Sequence, residues 1–226
     1  MDSGNFGNGV WACKKANGKD WWVFVRSMAK SNCFHKYSID NRGMTLEDEK
    51  ECLGYSMWSR DNDTIPNNHV GCFSHDGRYF VFASLYGLEF FDFNRCTGQF
   101  SNRRAKDYPI VDSFPNLSEH PPVSVNFSSS NRFLYLSVAQ RIFQYDLEAT
   151  NIFSSLETVA IYDGFKDHLN GDTTLVGFET AFKQMSLTPD GRIFIGHPST
   201  RYMGYINKPN EKGLACDVRQ HEIMTQ

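Results

Sequence analysis

The sequence predicts an all-β fold built from repeated units of antiparallel strands, and three observations support this prediction. One phrase recurs as Phe-Ser-His-Asp-Gly-Arg-Tyr-Phe-Val-Phe at 73–82, Phe-Ser-Ser-Ser-Asn-Arg-Phe-Leu-Tyr-Leu at 127–136 and Leu-Thr-Pro-Asp-Gly-Arg-Ile-Phe-Ile at 187–195. Aromatic residues make up 15% of the chain, a composition that suits pleated, half-buried surfaces. No segment keeps an apolar spacing of about 3.6 residues over three turns, so long amphipathic helices are not expected.

The spacing of the phrase sets the size of the repeating unit. Each copy places a tight turn at Asp-Gly or Ser-Asn before a run of aromatic and β-branched residues that is typical of a strand. A looser fourth copy, Lys-Ala-Asn-Gly-Lys-Asp-Trp-Trp-Val-Phe-Val, occupies residues 15–25. The turn centres are 59, 54 and 60 residues apart, at Gly18, Gly77, Asn131 and Gly191. Such a period belongs to a supersecondary unit rather than to a whole domain.

Each unit predicts a hairpin with one or two flanking strands. Asp92 and Asp146 both lie 15 residues after their turn centres, which indicates matching hairpins and a repeated capping role for the two carboxylates. The charged stretch 46–53 predicts a short helix or a solvated loop, and the basic group at 103–106 predicts a solvated loop. The predicted strands, in chain order, are 21–25, 33–39, 69–73, 79–84, 88–94, 123–127, 132–138, 141–147, 157–162, 182–187, 192–195 and 202–206.

Three to four antiparallel strands in a period of about 55 residues are what one blade of a β-propeller contains. The sequence therefore predicts a single β-propeller domain or propeller fragment over 1–226, with about four blades that belong to a ring of about seven. Polar loops between the blades would cross a face of the propeller and form its binding surface. The predicted blades are approximately 10–60, 66–118, 121–170 and 173–218, and the loops are 60–68, 113–122 and 163–172.

An ordered series of motifs carries a family resemblance, at residues 14–23, 73–78, 88–98, 143–147 and 204–216. The series is similar to the propeller region of large secreted proteins of Bacteroidetes-type bacteria that carry C-terminal sorting or gliding-motility-associated domains. Its Ser-x-Asp-Gly-Arg part also resembles WD40-like and lactonase-like propellers. The resemblance implies a larger ring and an extracellular or cell-surface location. Because the chain opens in a middle blade and shows no signal peptide, we expect a fragment, with the cytoplasm as the alternative location.

Composition argues against two classes of partner. The formal net charge is −3, with 23 basic and 26 acidic residues, so no electrostatic footprint for nucleic acid is expected. No apolar run approaches the roughly 20 residues that a transmembrane helix needs.

The sequence assigns no catalytic, cofactor-binding or metal-binding residue. The Asp-Gly turns are interpreted as scaffold, because Asp and Asn side chains supply the hydrogen bonds that such turns need. Residues 61–64 faintly resemble a calcium loop but lack its glycine and its closing glutamate. Six cysteines without a Cys-x-x-Cys pair argue against zinc and leave both free thiols and disulfides open. The histidines show no metal-ligand spacing, at His35, His69, His75, His120, His168, His197 and His221.

Tryptophans are the remaining functional signal. Blade packing is the main interpretation of these residues, with sugar stacking or protein contact as the alternative; they are Trp11, Trp21, Trp22 and Trp58. The sequence favours a non-catalytic binding or scaffolding module, with a protein or glycan ligand on a propeller face and no enzyme activity. Two alternatives stay open. One is a lactonase-like propeller hydrolase with a metal in the central channel, and the other is an intracellular protein-interaction propeller.

Overall fold

The computed structural model describes residues 6–27, 33–47, 51–52, 70–84, 87–107, 122–138, 140–168 and 174–225. Their regular secondary structure is β-strand, apart from short 3-10 helices at Ile152–Ser155 and Gly213–Cys216. None of the described helices has the length and apolarity needed to cross a membrane. The strands are β1 (Phe6–Lys14), β2 (Trp21–Ser27), β3 (Cys33–Asp40), β4 (Gly43–Leu46), β5 (Glu51–Cys52), β6 (Val70–Phe73), β7 (Tyr79–Ala83), β8 (Gly87–Asn94), β9 (Gln99–Asp107), β10 (Ser124–Phe127), β11 (Phe133–Val138), β12 (Arg141–Asp146), β13 (Glu157–Ile161), β14 (Lys166–Asp167), β15 (Phe178–Glu179), β16 (Gln184–Leu187), β17 (Ile193–Gly196), β18 (Tyr202–Ile206) and β19 (Val218–Met224).

Within the described residues the strands form four antiparallel meanders and one two-stranded ribbon. The meanders have the orders β1-β2-β3-β4, β6-β7-β8-β9, β10-β11-β12-β13 and β16-β17-β18-β19, with β5 added to β3 and the ribbon made by β14 and β15. Each meander is an up-and-down sheet of the kind that forms a propeller blade. The chain divides into two compact units, residues 1–115 and 116–226, and each contains two of these sheets.

An aromatic core joins the two sheets of the first unit. Phe24 of β2 is 1% exposed, and its ring centroid lies 4.8 Å from that of Phe100 and 5.7 Å from that of Phe93. Trp11 of β1 meets the edges of Phe80 and Phe82 on β7 at 5.8 and 5.9 Å. These T-shaped contacts explain the aromatic composition, because large flat rings fill the space between twisted sheets.

Aliphatic packing and hydrogen bonds join the two sheets of the second unit. The side chains of β11 are buried along its whole length, as expected for a strand covered on both faces. Ser124 Oγ accepts a hydrogen bond from the Met185 N–H at 3.0 Å, and the Asn126 side chain donates to the Met185 carbonyl at 3.3 Å. The neighbouring edges of β10 and β16 are therefore held together by polar contacts that a purely apolar interface lacks.

The recurring phrase forms one repeated turn. In the first unit Ser74 Oγ donates to Asp76 at 2.7 Å, and Arg78 Nε donates to the same carboxylate at 2.6 Å. Thr188, Asp190 and Arg192 repeat this arrangement in the second unit, with Arg192 Nε 2.8 Å from Asp190. The turn centres share a left-handed backbone, with φ of 70° at Gly77, 62° at Asn131 and 86° at Gly191. The Asp, Arg and hydroxyl groups of the phrase thus hold one another in the turn, as scaffold.

Seven of the described strands were not predicted, and the solvated loop predicted at 103–106 is wrong. These residues belong to β9, where Arg103 pairs with the buried Glu89 at 2.6 Å and Arg104 pairs with Asp92 at 2.5 Å. Ion pairs with carboxylates on β8 thus stabilise the basic residues in an outer strand. The other described strands that lacked a sequence prediction are β1, β4, β5, β14, β15 and β19.

Cross-strand pairing also decides the state of two cysteines. Cys33 on β3 lies directly opposite Cys52 on β5, and the two form a disulfide. The described part of the stretch 46–53 contains strand residues and no helix. The remaining cysteines are free thiols, namely Cys13, Cys72, Cys96 and Cys216.

The turn carboxylate Asp190 should make stability depend on acid. The Thr188 hydroxyl and then the Arg192 guanidinium lower its pKa from 3.8 to about 2. A depressed folded-state pKa stabilises the protein above the unfolded pKa and loses that contribution as the pH falls from about 4 to about 2. We therefore expect Asp190→Asn to lower the melting temperature at pH 7 and to have little effect near pH 2. Thermal unfolding between pH 2 and pH 7 measures this, with the exposed Glu179→Gln as control. Parallel curves for the wild type and Asp190→Asn over the whole range would contradict it.

Candidate functional site

A groove in the first unit lies along the edges of β1 and β6. Its volume is about 440 Å³, within the range of pockets that hold small ligands. Its walls combine aromatic, charged and thiol side chains with the turn that follows β6. The lining residues are Val10, Trp11, Ala12, Cys13, Lys14, Trp21, Gly71, Cys72, Phe73, Ser74, His75, Asp76, Gly77 and Arg95.

The walls of the groove are held in place by contacts between β1 and β6. The indole N–H of Trp11 donates to the Gly71 carbonyl at 2.9 Å, which joins β1 to β6. A Cβ at Gly71 would lie 2.9 Å from the Val81 carbonyl oxygen, so a larger residue would push the strands apart. On β1 the side chains alternate, and Val10 and Lys14 are exposed while Cys13 is buried.

Arg95 is the best-held charge in the groove. Its Nε, Nη1 and Nη2 groups donate to the carbonyl oxygens of Lys14, Asp76 and Lys15 at 2.8, 3.2 and 3.0 Å. The Arg95 carbonyl accepts from the Trp22 indole at 2.9 Å, so the turn after β8 is tied to the first sheet. A guanidinium has five N–H donors, and three acceptors leave two of them for a ligand.

No carboxylate of the described residues forms an ion pair with the two cations of the groove. Among the described residues neither Lys14 nor Arg95 forms an ion pair. Asp76 is the carboxylate that lines the groove, and it is held by Arg78 at 2.6 Å. Burial acts to raise the pKa of Asp76, but hydrogen bonds from Ser74 and Arg78 outweigh it and lower the pKa. Asp76 is therefore ionised but already paired, and the groove keeps excess positive charge.

The two thiols in the groove are poor nucleophiles. Burial raises the pKa of Cys13 to about 11, against a lowering effect from Arg95, and burial also raises the pKa of Cys72. Since the thiolate is the reactive form, both side chains are protonated and unreactive at neutral pH.

A metal centre does not fit the described residues. Within them no group of three or more His, Cys, Asp or Glu side chains lies close enough to hold a metal ion. We therefore derive no metal-dependent step. The loop 61–64, with its faint calcium pattern, lies outside the described residues.

The second unit contains a smaller histidine cluster that has no room for a ligand. His221 Nε2 lies 2.8 Å from Asp163 Oδ2, and its ring stacks on Phe165 at 4.1 Å. The adjoining cavity has a volume of about 10 Å³, which is at the lower limit for one water molecule. This cluster packs the edge of β19 against the segment that follows β13.

The tryptophans divide between packing and the groove. Trp22 is buried, and Lys15 Nζ lies 3.7 Å from its ring centroid. Trp11 packs between the sheets, as its ring contacts show, whereas Trp21 is 40% exposed and lines the groove. Trp58 and the loops 60–68 and 113–121 lie outside the described residues, as do 169–172 of the third predicted loop.

The sequence predicted a capping role for Asp92 and Asp146, but it did not identify Lys14 and Arg95 as candidate functional residues. Asp92 binds Arg104 and accepts from Asn102 at 2.9 Å, while Asp146 binds Arg132 at 3.0 Å. Both carboxylates stabilise hairpins and lie outside the groove lining. The sequence signal for Arg95 is a difference between the repeats. Arg95 follows the turn centre Gly77 at the same distance as Ala149 follows the turn centre Asn131, so the arginine is absent from the third unit.

Comparisons with known proteins identify the fold. A candidate 6-phosphogluconolactonase from Bacteroides uniformis is similar over 98% of this chain and 55% of its own, with 12% identity and a TM-score of 0.58. A catalytically inactive virginiamycin B lyase from Staphylococcus aureus, solved with quinupristin, covers 99% of this chain and 58% of its own, with 12% identity and a TM-score of 0.50. Hydrazine synthase from Kuenenia stuttgartiensis covers 92% and 56%, with 12% identity and a TM-score of 0.50.

The chain is an all-β protein of the β-propeller class, and the predicted fold class is confirmed. It spans a little more than half the length of these three solved chains. No family model and no curated protein matches it. The resemblance to secreted Bacteroidetes-type proteins is supported in its propeller part, while the sorting domain and the cell-surface location stay predictions.

The prediction that the chain is not an enzyme is wrong. Solved structures that share its fold are named as enzymes, among them a candidate lactonase and a lyase. The sequence assigned no catalytic residue because its repeated Asp-Gly turns were interpreted as scaffold, and the groove combines one of those turns with residues that are distant in the chain. Such a grouping depends on the packing of the sheets and not on a local sequence pattern.

Proposed function

We propose that the chain belongs to a lactonase-type propeller enzyme and that the groove between β1 and β6 holds its cyclic ester substrate. The observation that carries this proposal is the similarity over 98% of the chain to a candidate 6-phosphogluconolactonase. Identity of 12% gives the fold alone, so the activity itself is the proposal. A groove of about 440 Å³ with one imidazole and two cations adds chemical support.

The groove side chains suit the hydrolysis of a lactone. A water oxygen bonds to the ester carbonyl carbon, the ring C–O bond breaks, and the ring oxygen takes a proton to give a hydroxy acid. His75 is the candidate general base for the water proton, since imidazole is the commonest general base near neutral pH. The positive charge that Lys14 and Arg95 give the groove would favour a substrate that carries negative charge.

Lactone opening by the folded chain tests this proposal. We expect the protein to accelerate the opening of glucono-δ-lactone or its 6-phosphate above the spontaneous rate, measured as acid release in weak buffer. His75→Gln should lower the rate by about 100-fold or more, because it removes the proton acceptor. The control is His168→Gln in the second unit, which should leave the rate unchanged. A protein with a β-type circular dichroism spectrum and no acceleration of either lactone would contradict the proposal.

A further inference from the structure

We propose that the groove recognises an anionic sugar ring, with Trp21 under the ring and Lys14 and Arg95 on its phosphate or carboxylate. This inference rests on the proposed function in that it names the substrate class of the same groove. Its own basis is the arrangement of three side chains, and it can be tested by binding without any turnover.

Trp21 provides a flat apolar surface at the groove. It is 40% exposed, although its neighbour Trp22 is buried at 6%. Consecutive strand residues point to opposite faces, so packing Trp22 between the sheets turns Trp21 outward. An indole face suits the apolar C–H face of a sugar, because it offers a large apolar area at little cost in conformational entropy.

Lys14 stands beside this surface. It lies directly opposite Trp21 in the β1–β2 ladder, and its Nζ is 5.6 Å from the Trp21 ring centroid. Residues that face each other across two strands point to the same side of the sheet. The ammonium and the ring can therefore contact one ligand together.

Arg95 supplies a second positive charge, and its position is preorganised. Three carbonyl oxygens hold the guanidinium, which leaves two N–H groups and a full charge for a ligand. Arginine recognises planar or tetrahedral oxyanions by paired hydrogen bonds. Asp76 is the nearby carboxylate that would oppose an anion, and Arg78 already compensates it. The groove thus attracts an anion rather than a cation.

These features together select a ring that bears an anionic group. A neutral sugar would use Trp21 but leave two cations unpaired, and inorganic phosphate would use the cations but leave the indole uncovered. The volume of about 440 Å³ accommodates a hexose phosphate. The sequence left sugar stacking open as an alternative to blade packing for the four tryptophans, and this proposal applies that alternative to Trp21.

Titration calorimetry with glucose 6-phosphate tests the inference, with glucose and inorganic phosphate as separate probes. We expect glucose 6-phosphate to bind at least about tenfold more tightly than either fragment and to weaken as salt rises. Trp21→Ala and Lys14→Gln should each weaken binding by about tenfold. The matched controls are Phe178→Ala and Lys166→Gln, an exposed aromatic and an exposed lysine of the second unit. Lys14→Gln alters an exposed side chain, so it stays informative if changes at Arg95 disturb the turn.

Each outcome decides a stated point. Equal binding of glucose 6-phosphate and inorganic phosphate would overturn ring recognition, and unchanged affinity in Trp21→Ala and Lys14→Gln would overturn the location. No binding of glucose 6-phosphate would overturn the inference as a whole. Tight binding without lactone opening would contradict the proposed function and leave this inference standing. Opening of neutral glucono-δ-lactone as fast as its 6-phosphate would contradict this inference and leave the proposed function standing.

Discussion

Replacing Phe24 with alanine should lower the free energy of unfolding by about 3–5 kcal/mol. The ring is 1% exposed and lies within 6 Å of three others, those of Phe73, Phe93 and Phe100, at 5.9, 5.7 and 4.8 Å. Alanine would remove the apolar area of the ring and leave a cavity between two sheets, which stiff strands cannot close. Urea unfolding followed by tryptophan fluorescence measures the loss.

The matched control for Phe24→Ala is Val10→Ala, a truncation on the adjacent strand. Val10 is 66% exposed, so its loss should change stability by less than about 0.5 kcal/mol. Because Phe73 immediately precedes the groove residue Ser74, Phe24→Ala should also weaken ligand binding at the groove. Equal unfolding midpoints for Phe24→Ala and Val10→Ala would show that the aromatic cluster is not the core of this unit.

The sequence predicted the sheets because their turns repeat. Gly77, Asn131 and Gly191 share one left-handed geometry, and the strands on either side follow from the turn chemistry and from the aromatic runs. The outer strand β9 was missed because its basic residues resemble a solvated loop until Glu89 and Asp92 are placed beside them. The disulfide between Cys33 and Cys52 was also beyond prediction, since it depends on the register of two strands.

The groove could not be derived from the sequence for a related reason. Arg95 binds the carbonyls of Lys14 and Lys15, which lie 81 and 80 residues earlier in the chain. No local sequence pattern predicts such a contact, because every residue has a main-chain carbonyl whatever its side chain. Trp21 was considered, but its exposure follows from the burial of Trp22, which only the packing of the two sheets reveals. The sequence predicted function in the loops that differ between repeats, whereas the groove also includes Phe73, Ser74, Asp76 and Gly77 of the recurring phrase.

A second large effect is expected in the other unit, where Gln144 joins a buried strand to a loop. Its Nε2 donates to the Tyr135 hydroxyl at 2.7 Å and to the Glu211 carbonyl at 2.8 Å, and its Oε1 accepts from the Gly213 N–H at 2.7 Å. Tyr135 in turn donates to the Pro209 carbonyl at 2.9 Å. The amide therefore fastens the segment between β18 and β19 to the β12 strand of the neighbouring sheet.

Gln144→Leu should lower the free energy of unfolding by about 3 kcal/mol or more, because it keeps the volume but leaves the Glu211 carbonyl and the Gly213 N–H without a partner. A buried polar group without a hydrogen bond costs about 1–3 kcal/mol, and two such groups are created here. Hydrogen exchange provides the local readout, since the Gly213 amide should exchange much faster while amides of β11 change little. The control is Gln184→Leu, the same substitution at an exposed strand position, for which we expect a change below about 0.5 kcal/mol. If Gly213 keeps its protection in Gln144→Leu, the loop is held by its apolar contacts and the amide network contributes little to its attachment.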